Sequence, residues 1–112
     1  MTTDIPTLKG DFFRVLGHPT RIRILEQLAQ RERTVQDLQA ALALDQPIVS
    51  QHLAVLRARS IVKARRAGTQ AYYTLTSPLI ADVLNLSREF LNRQLTESRA
   101  ILRELQREER RG

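Results

Sequence analysis

Within two helical turns the chain sets four hydrogen-bonding side chains, Gln46, Ser50, Gln51 and His52, with no acid among them. A glutamine amide donates and accepts in one plane and so matches adenine through two bonds, while a serine hydroxyl serves in either role. Arg57 and Arg59 follow directly, where guanidinium groups suit phosphate oxygens. Arg65, Arg66, Thr69 and Gln70 form a second basic and polar cluster further on. From Gln46 to Ala81 there is no Asp or Glu, while Arg57, Arg59, Lys63, Arg65 and Arg66 all fall there. Such a positive field suits a polyanion. Charge alone fits a solvated basic face equally well; the ordered spacing of the polar groups favours nucleic acid.

Other chemistries find little support. The chain has no cysteine, which excludes disulfides, thiolate zinc sites and thiol redox switching. No Ser/His/Asp spacing, glycine-rich phosphate loop or paired catalytic carboxylates stand out, so an enzyme is not expected. No run of about 18 apolar residues is present, and none would span a membrane. The opening MTTDIPTLKGDFF has neither a basic nor an apolar leader pattern, so the cytoplasm is the expected compartment.

The polar groups need elements to hold them. Apolar spacing predicts a first helix from about Thr7 to Leu16, stopped at Gly17. A second, HPTRIRILEQLAQ, has Pro19 in its first turn and Ile22, Ile24, Leu25 and Leu28 as its core stripe. Arg21 and Arg23 fall off that stripe, toward solvent or a partner. A third helix covers Val35 to Leu42, with Thr34 as N-cap and Asp37 completing a capping box. After the three residues ALD, Asp45 can cap a fourth helix with Pro47 in its first turn. Ile48 or Val49, then Leu53 and Leu56, face inward.

The period then changes from 3.6 to 2. Ile61 to Arg66 and Ala71 to Leu75 read as a hairpin turning at Gly68. Pro78 opens a long helix, about Leu79 to Arg107, whose stripe includes Phe90, Leu91, Leu95, Ile101 and Leu102. Nearly thirty residues outrun a core this small, so the second half is expected to bury its stripe against another copy. The alternative is an amphipathic tail that frays beyond Arg99.

Helix, short turn, helix and hairpin is the order of a winged helix-turn-helix, whose second paired helix enters the DNA major groove. The expected fold is therefore mainly α with a β-hairpin wing, in the order ααααββα. The 112 residues form one domain: helix-turn-helix at 34–58, wing at 61–75, long helix at 79–107.

Three blocks, LGHPTRIRILEQL, VSQHLAVLRARSIV and ARRAGTQAYYTL, resemble those of the ArsR/SmtB repressors. The likeness runs from Phe12 to Leu75. It implies a homodimeric transcription regulator, a repressor by the family's habit, dimerised through its terminal helices and reading an inverted repeat in double-stranded DNA. By position, Gln46, Pro47, Val49, Ser50, Gln51 and His52 fall on the DNA-reading segment, with Arg57 beyond them, and Arg65, Arg66, Thr69 and Gln70 on the wing. Leu8 and Phe12 of the first helix join Phe90, Leu91, Leu95, Ile101 and Leu102 in the interface. Ala43 departs from the family's frequent Gly in the turn; a positive φ there would cost Ala about 1 kcal/mol.

Family members often sense a metal. Here Thr34 stands near the usual cysteine position, and the last helix has no histidine. No cofactor is called for. The first candidates for a nickel or zinc site of nitrogen and oxygen ligands are His18, Asp4 and Asp11. A further reading is an interaction module whose long helix, ending RELQREERRG, recruits a second regulatory protein.

Overall fold

The computed structural model describes residues 4–112. Five helices and one hairpin follow in order: α1 (Ile5–Leu16), α2 (Pro19–Gln30), α3 (Val35–Leu42), α4 (Gln46–Ala58), β1 (Val62–Ala67), β2 (Gln70–Leu75) and α5 (Pro78–Arg111). This is the winged helix-turn-helix order.

The described residues form two compact units, divided between Ala81 and Asp82. The core of the first is built from apolar faces at helical spacing. Ile24, Leu25, Leu28, Leu38, Leu42, Val49, Leu53 and Leu56 are buried, joined by Val15, Leu16, Ile61, Val62 and Ile80. Each such side chain contributes roughly 1.5–3 kcal/mol by leaving water. Val49 rather than Ile48 faces inward, Ile48 being 41% exposed.

Helix starts are secured locally. Thr34 Oγ1 accepts from the Asp37 amide at 3.1 Å while Asp37 Oδ2 accepts from the Thr34 amide at 3.0 Å, completing the expected capping box of α3. The Asp37 carboxyl is held below its ordinary 3.8, chiefly by the Thr34 backbone bond. α1 begins at Ile5, earlier than the spacing suggests, because Asp4 caps it through the Thr7 amide at 3.2 Å. Asp45 occupies the N-cap position of α4, but its side chain makes no capping bond, so the α4 amides are not satisfied in the way the sequence suggests.

Helix ends use positive φ without glycine. Ala43 sits at φ 54°, ψ 49° after α3, and Leu44 N donates to Gln39 O at 3.2 Å. Ser60 sits at φ 58° after α4. There Ser60 N donates to Arg57 O and Ile61 N to Leu56 O, both at 3.0 Å. That is a Schellman pair, which turns the chain out of α4 and into β1. Gly17 has φ −74° and so is not left-handed; a Cβ there would meet Phe13 O at 3.2 Å.

The hairpin pairs antiparallel from Val62↔Leu75 to Ala67↔Gln70 around Gly68, at φ 64°. It is one residue longer at its tip than the periodicity suggests. A third segment extends the ladder: Arg33 bridges Tyr73, with Arg33 N to Tyr73 O at 3.1 Å and Tyr73 N to Arg33 O at 2.8 Å. The second unit is the run of α5 from Asp82 onward. α5 has 34 residues, about 51 Å of helix. Among the described residues no helix is long and apolar enough to cross a membrane.

Candidate nucleic-acid interface

α4 divides by face. Val49, Leu53 and Leu56 are buried, fixing the helix on the core. Gln46, Pro47, Gln51 and Arg57 are exposed and Ser50 is half-buried. Gln46 Nε2 donates to Ser50 Oγ at 2.7 Å, so these two side chains form one polar unit at the helix start. Ser50, Leu53, Ala54, Arg57 and Ala58, together with Tyr73 of β2, line an open cleft between α4 and the wing. Of the residues expected to read DNA, Ser50 and Arg57 line this cleft and Gln46, Pro47 and Gln51 are exposed on α4, whereas two others turn inward.

Val49 is fully buried and cannot reach a base edge; its expected place among the DNA-reading residues is corrected, because the helical period turns it to the core. His52 is drawn inward as well. Its ring lies 4.5 Å from that of His18, tilted by 49°, and its Nδ1 is buried without a hydrogen-bond partner. Burial, with the nearby His18 and Arg21, holds its pKa below the ordinary 6.5. It packs α4 against the start of α2.

The wing carries Arg65, Arg66, Thr69 and Gln70, all exposed. Arg65 is not loose. Its guanidinium lies 5.0 Å from the centre of the Tyr72 ring and donates to Glu32 Oε1 at 2.9 Å. Thr76 fastens the wing to the end of α4, its Oγ1 donating to Ser60 O at 2.7 Å and its amide to Ile61 O at 3.0 Å.

Several arginines serve the scaffold. Arg21 Nε donates to Val15 O at 2.6 Å and Arg23 Nη2 to Leu42 O at 3.1 Å. Both therefore tie α2 to neighbouring helix ends, where the sequence suggests side chains turned to solvent or a partner. Arg33, only 9% exposed, donates to Gln30 Oε1 at 2.9 Å. Its role has no sequence signal except its place just before the Thr34 cap.

The metal candidates are not brought together. His18 Nδ1 accepts from the Thr20 amide at 3.1 Å and caps α2. Asp4 caps α1, and Asp11 pairs with Arg14. Among the described residues no group of three or more His, Asp or Glu side chains could hold a metal ion. Each of these three candidates is instead engaged in holding a helix end or a neighbouring turn.

Apolar side chains are left uncovered in both units. Leu8 is 48% exposed and Phe13, absent from the expected interface, 59%. Phe12 is half-buried and lines an open groove with Leu8, Asp11, Val15, Arg59 and Ile61. On α5, Leu86, Phe90, Leu91, Leu95, Ile101, Leu102 and Leu105 are each more than half exposed.

Comparison with known proteins agrees with this geometry. Residues 18–64 match the family model described as bacterial regulatory protein, arsR family. A curated relative, the uncharacterized HTH-type transcriptional regulator Rv0081 of Mycobacterium tuberculosis, is 42% identical over 88% of this chain and 87% of its own. Its crystal structure superposes with a TM-score of 0.78 at 40% identity, covering 86% of this chain and 97% of that one. A transcriptional repressor SmtB homolog of Synechocystis is 38% identical over 80% of this chain and 65% of its own. The homodimeric winged helix-turn-helix DNA-binding domain Mb0332 of Mycobacterium bovis gives a TM-score of 0.76 at 26% identity, over 86% of this chain and 93% of that one.

The chain belongs to the arsR family of bacterial regulatory proteins. It is a DNA-binding transcriptional regulator with a winged helix-turn-helix fold, not an enzyme.

Proposed function

We propose that the protein is a homodimeric repressor in the cytoplasm, reading an inverted repeat in double-stranded DNA. The observation that carries this is the face of α4: Gln46, Ser50 and Gln51 stand clear of a fully buried Val49, Leu53 and Leu56, in a span free of acids. Gln46, Pro47, Ser50 and Gln51 meet base edges in the major groove, Arg57 meets the backbone, and Arg65, Arg66, Thr69 and Gln70 lie along an adjacent groove or its phosphates. His52 acts through packing. A second copy covers the exposed apolar residues of α1 and α5; the similar domain Mb0332 is homodimeric. The whole chain works as one regulator, with 34–58 reading, 61–75 flanking and 79–107 dimerising.

The test replaces Ser50 and Gln51 together by Ala. Anisotropy would be read on the duplex upstream of the chain's own coding sequence and on a scrambled duplex. Discrimination between the two is expected to fall by about tenfold or more, since a good base contact is worth roughly 1–3 kcal/mol. Unchanged discrimination would overturn the assignment of α4 as the reader.

A second reading, recruitment of another regulatory protein through α5, draws on the same exposed apolar residues. Light scattering that shows a stable homodimer favours the first reading, because the face is then taken.

A further inference from the structure

Residue 33 pairs with Tyr73, and Tyr73 pairs with Ala64 of β1, so β2 is the middle of three neighbouring segments. Side chains alternate across this ladder. Val62, Ala64 and Tyr73 share one face, Val62 buried in the core and Tyr73 lining the cleft toward α4. Arg65 and its partner Tyr72 therefore lie on the other face, as does Glu32, one residue before Arg33. The Arg65 side chain crosses the Tyr72 ring and ends on the Glu32 carboxylate.

The platform under Glu32 is fixed on both sides. Arg33 is laddered to β2 by two backbone bonds and held by Gln30, and Thr34 closes the α3 capping box. Arg65 itself is still 60% exposed. A guanidinium has five N–H donors, and the Glu32 bond takes one from Nη2. Ring and carboxylate thus hold the guanidinium from two sides, and the Glu32 bond leaves four of its five donors unused.

We propose that Glu32 and Tyr72 are positioning residues that pre-organise Arg65 as a phosphate contact of the wing. This rests on the reading that the wing meets DNA. It assigns a favourable role to an acid that bare Coulomb repulsion would make unfavourable, so the sign of its effect is diagnostic.

Because phosphate contacts are independent of sequence, the test needs no operator. The full-length protein would be titrated onto a duplex of arbitrary sequence at about 50 mM salt, where non-specific binding is much stronger than at physiological salt. The parent would be compared with Glu32→Ala, Glu32→Gln, Arg65→Ala and the double variant Glu32→Ala/Arg65→Ala. Glu32→Ala is expected to weaken binding about two- to fivefold, the worth of the one hydrogen bond that orients Arg65. Glu32→Gln, whose amide oxygen still accepts from Arg65, is expected to stay close to the parent. The double variant should bind no more weakly than Arg65→Ala, because Glu32 acts only through that arginine.

Glu32→Ala binding as tightly as the parent, or more tightly, overturns the proposal, as does a loss that persists without Arg65. Discrimination by Ser50 and Gln51 is read on other duplexes, so that result would leave the α4 reading standing. A parent that binds no duplex overturns both.

Discussion

His52 lies on the recognition helix, yet its ring is spent on packing against His18. Its depressed pKa comes first from burial and then from His18 and Arg21. The unfolded chain therefore binds this proton before the folded one does. Stability is full above the ordinary 6.5 and falls as pH drops below it, until His52 charges in the folded state too. Thermal unfolding of the parent between about pH 7.5 and 5.5 is expected to show this decline, and His52→Gln should flatten it. An equal slope in both proteins would remove His52 as its source. At this scale the sequence was only partly legible. Polarity picks out Gln46, Ser50 and Gln51, and the α3 capping box is written in its residue types. Val49 carries no such mark, and only knowing which of Ile48 and Val49 turns inward removes it from the interface. Arg21, Arg23 and Arg33 read as surface charge because a long side chain's backbone partners depend on tertiary position.

Among the elements, α4 and α5 divide the work. The apolar stripe of α4 is satisfied by the core, whereas Phe90, Leu91, Leu95, Ile101 and Leu102 of α5 are exposed. Replacing Leu95 and Leu102 together by Glu is expected to shift the protein from dimer to monomer by light scattering. DNA affinity should then fall by about a hundredfold or more, because two linked half-site contacts become one. A dimer of unchanged mass would place the interface elsewhere. Element order and α3 and α4 boundaries follow from periodicity and turn residues. The termini were harder. α1 starts two residues early because Asp4 caps it, and α5 runs to Arg111 because its last turns lack any breaker before Gly112. The left-handed residues at the ends of α3 and α4 are Ala43 and Ser60. Neither announces a turn as glycine would, and each carries a strain of roughly 1–2 kcal/mol that the tertiary fold absorbs.

On the scale of the whole molecule, one chain carries a polar-faced helix, a basic wing and a long helix with an uncovered apolar stripe. A net charge of +6 favours any duplex, and on the proposed function a symmetric pair of α4 helices would add selectivity for an inverted repeat. Selection of bound sites from a pool of random duplexes, near physiological salt, tests this most directly. Enrichment of an inverted repeat is expected, with half-site centres about 10 base pairs, one helical turn, or a multiple of it apart. Recovery of a single unpaired half-site, or of no common sequence at all, would contradict it.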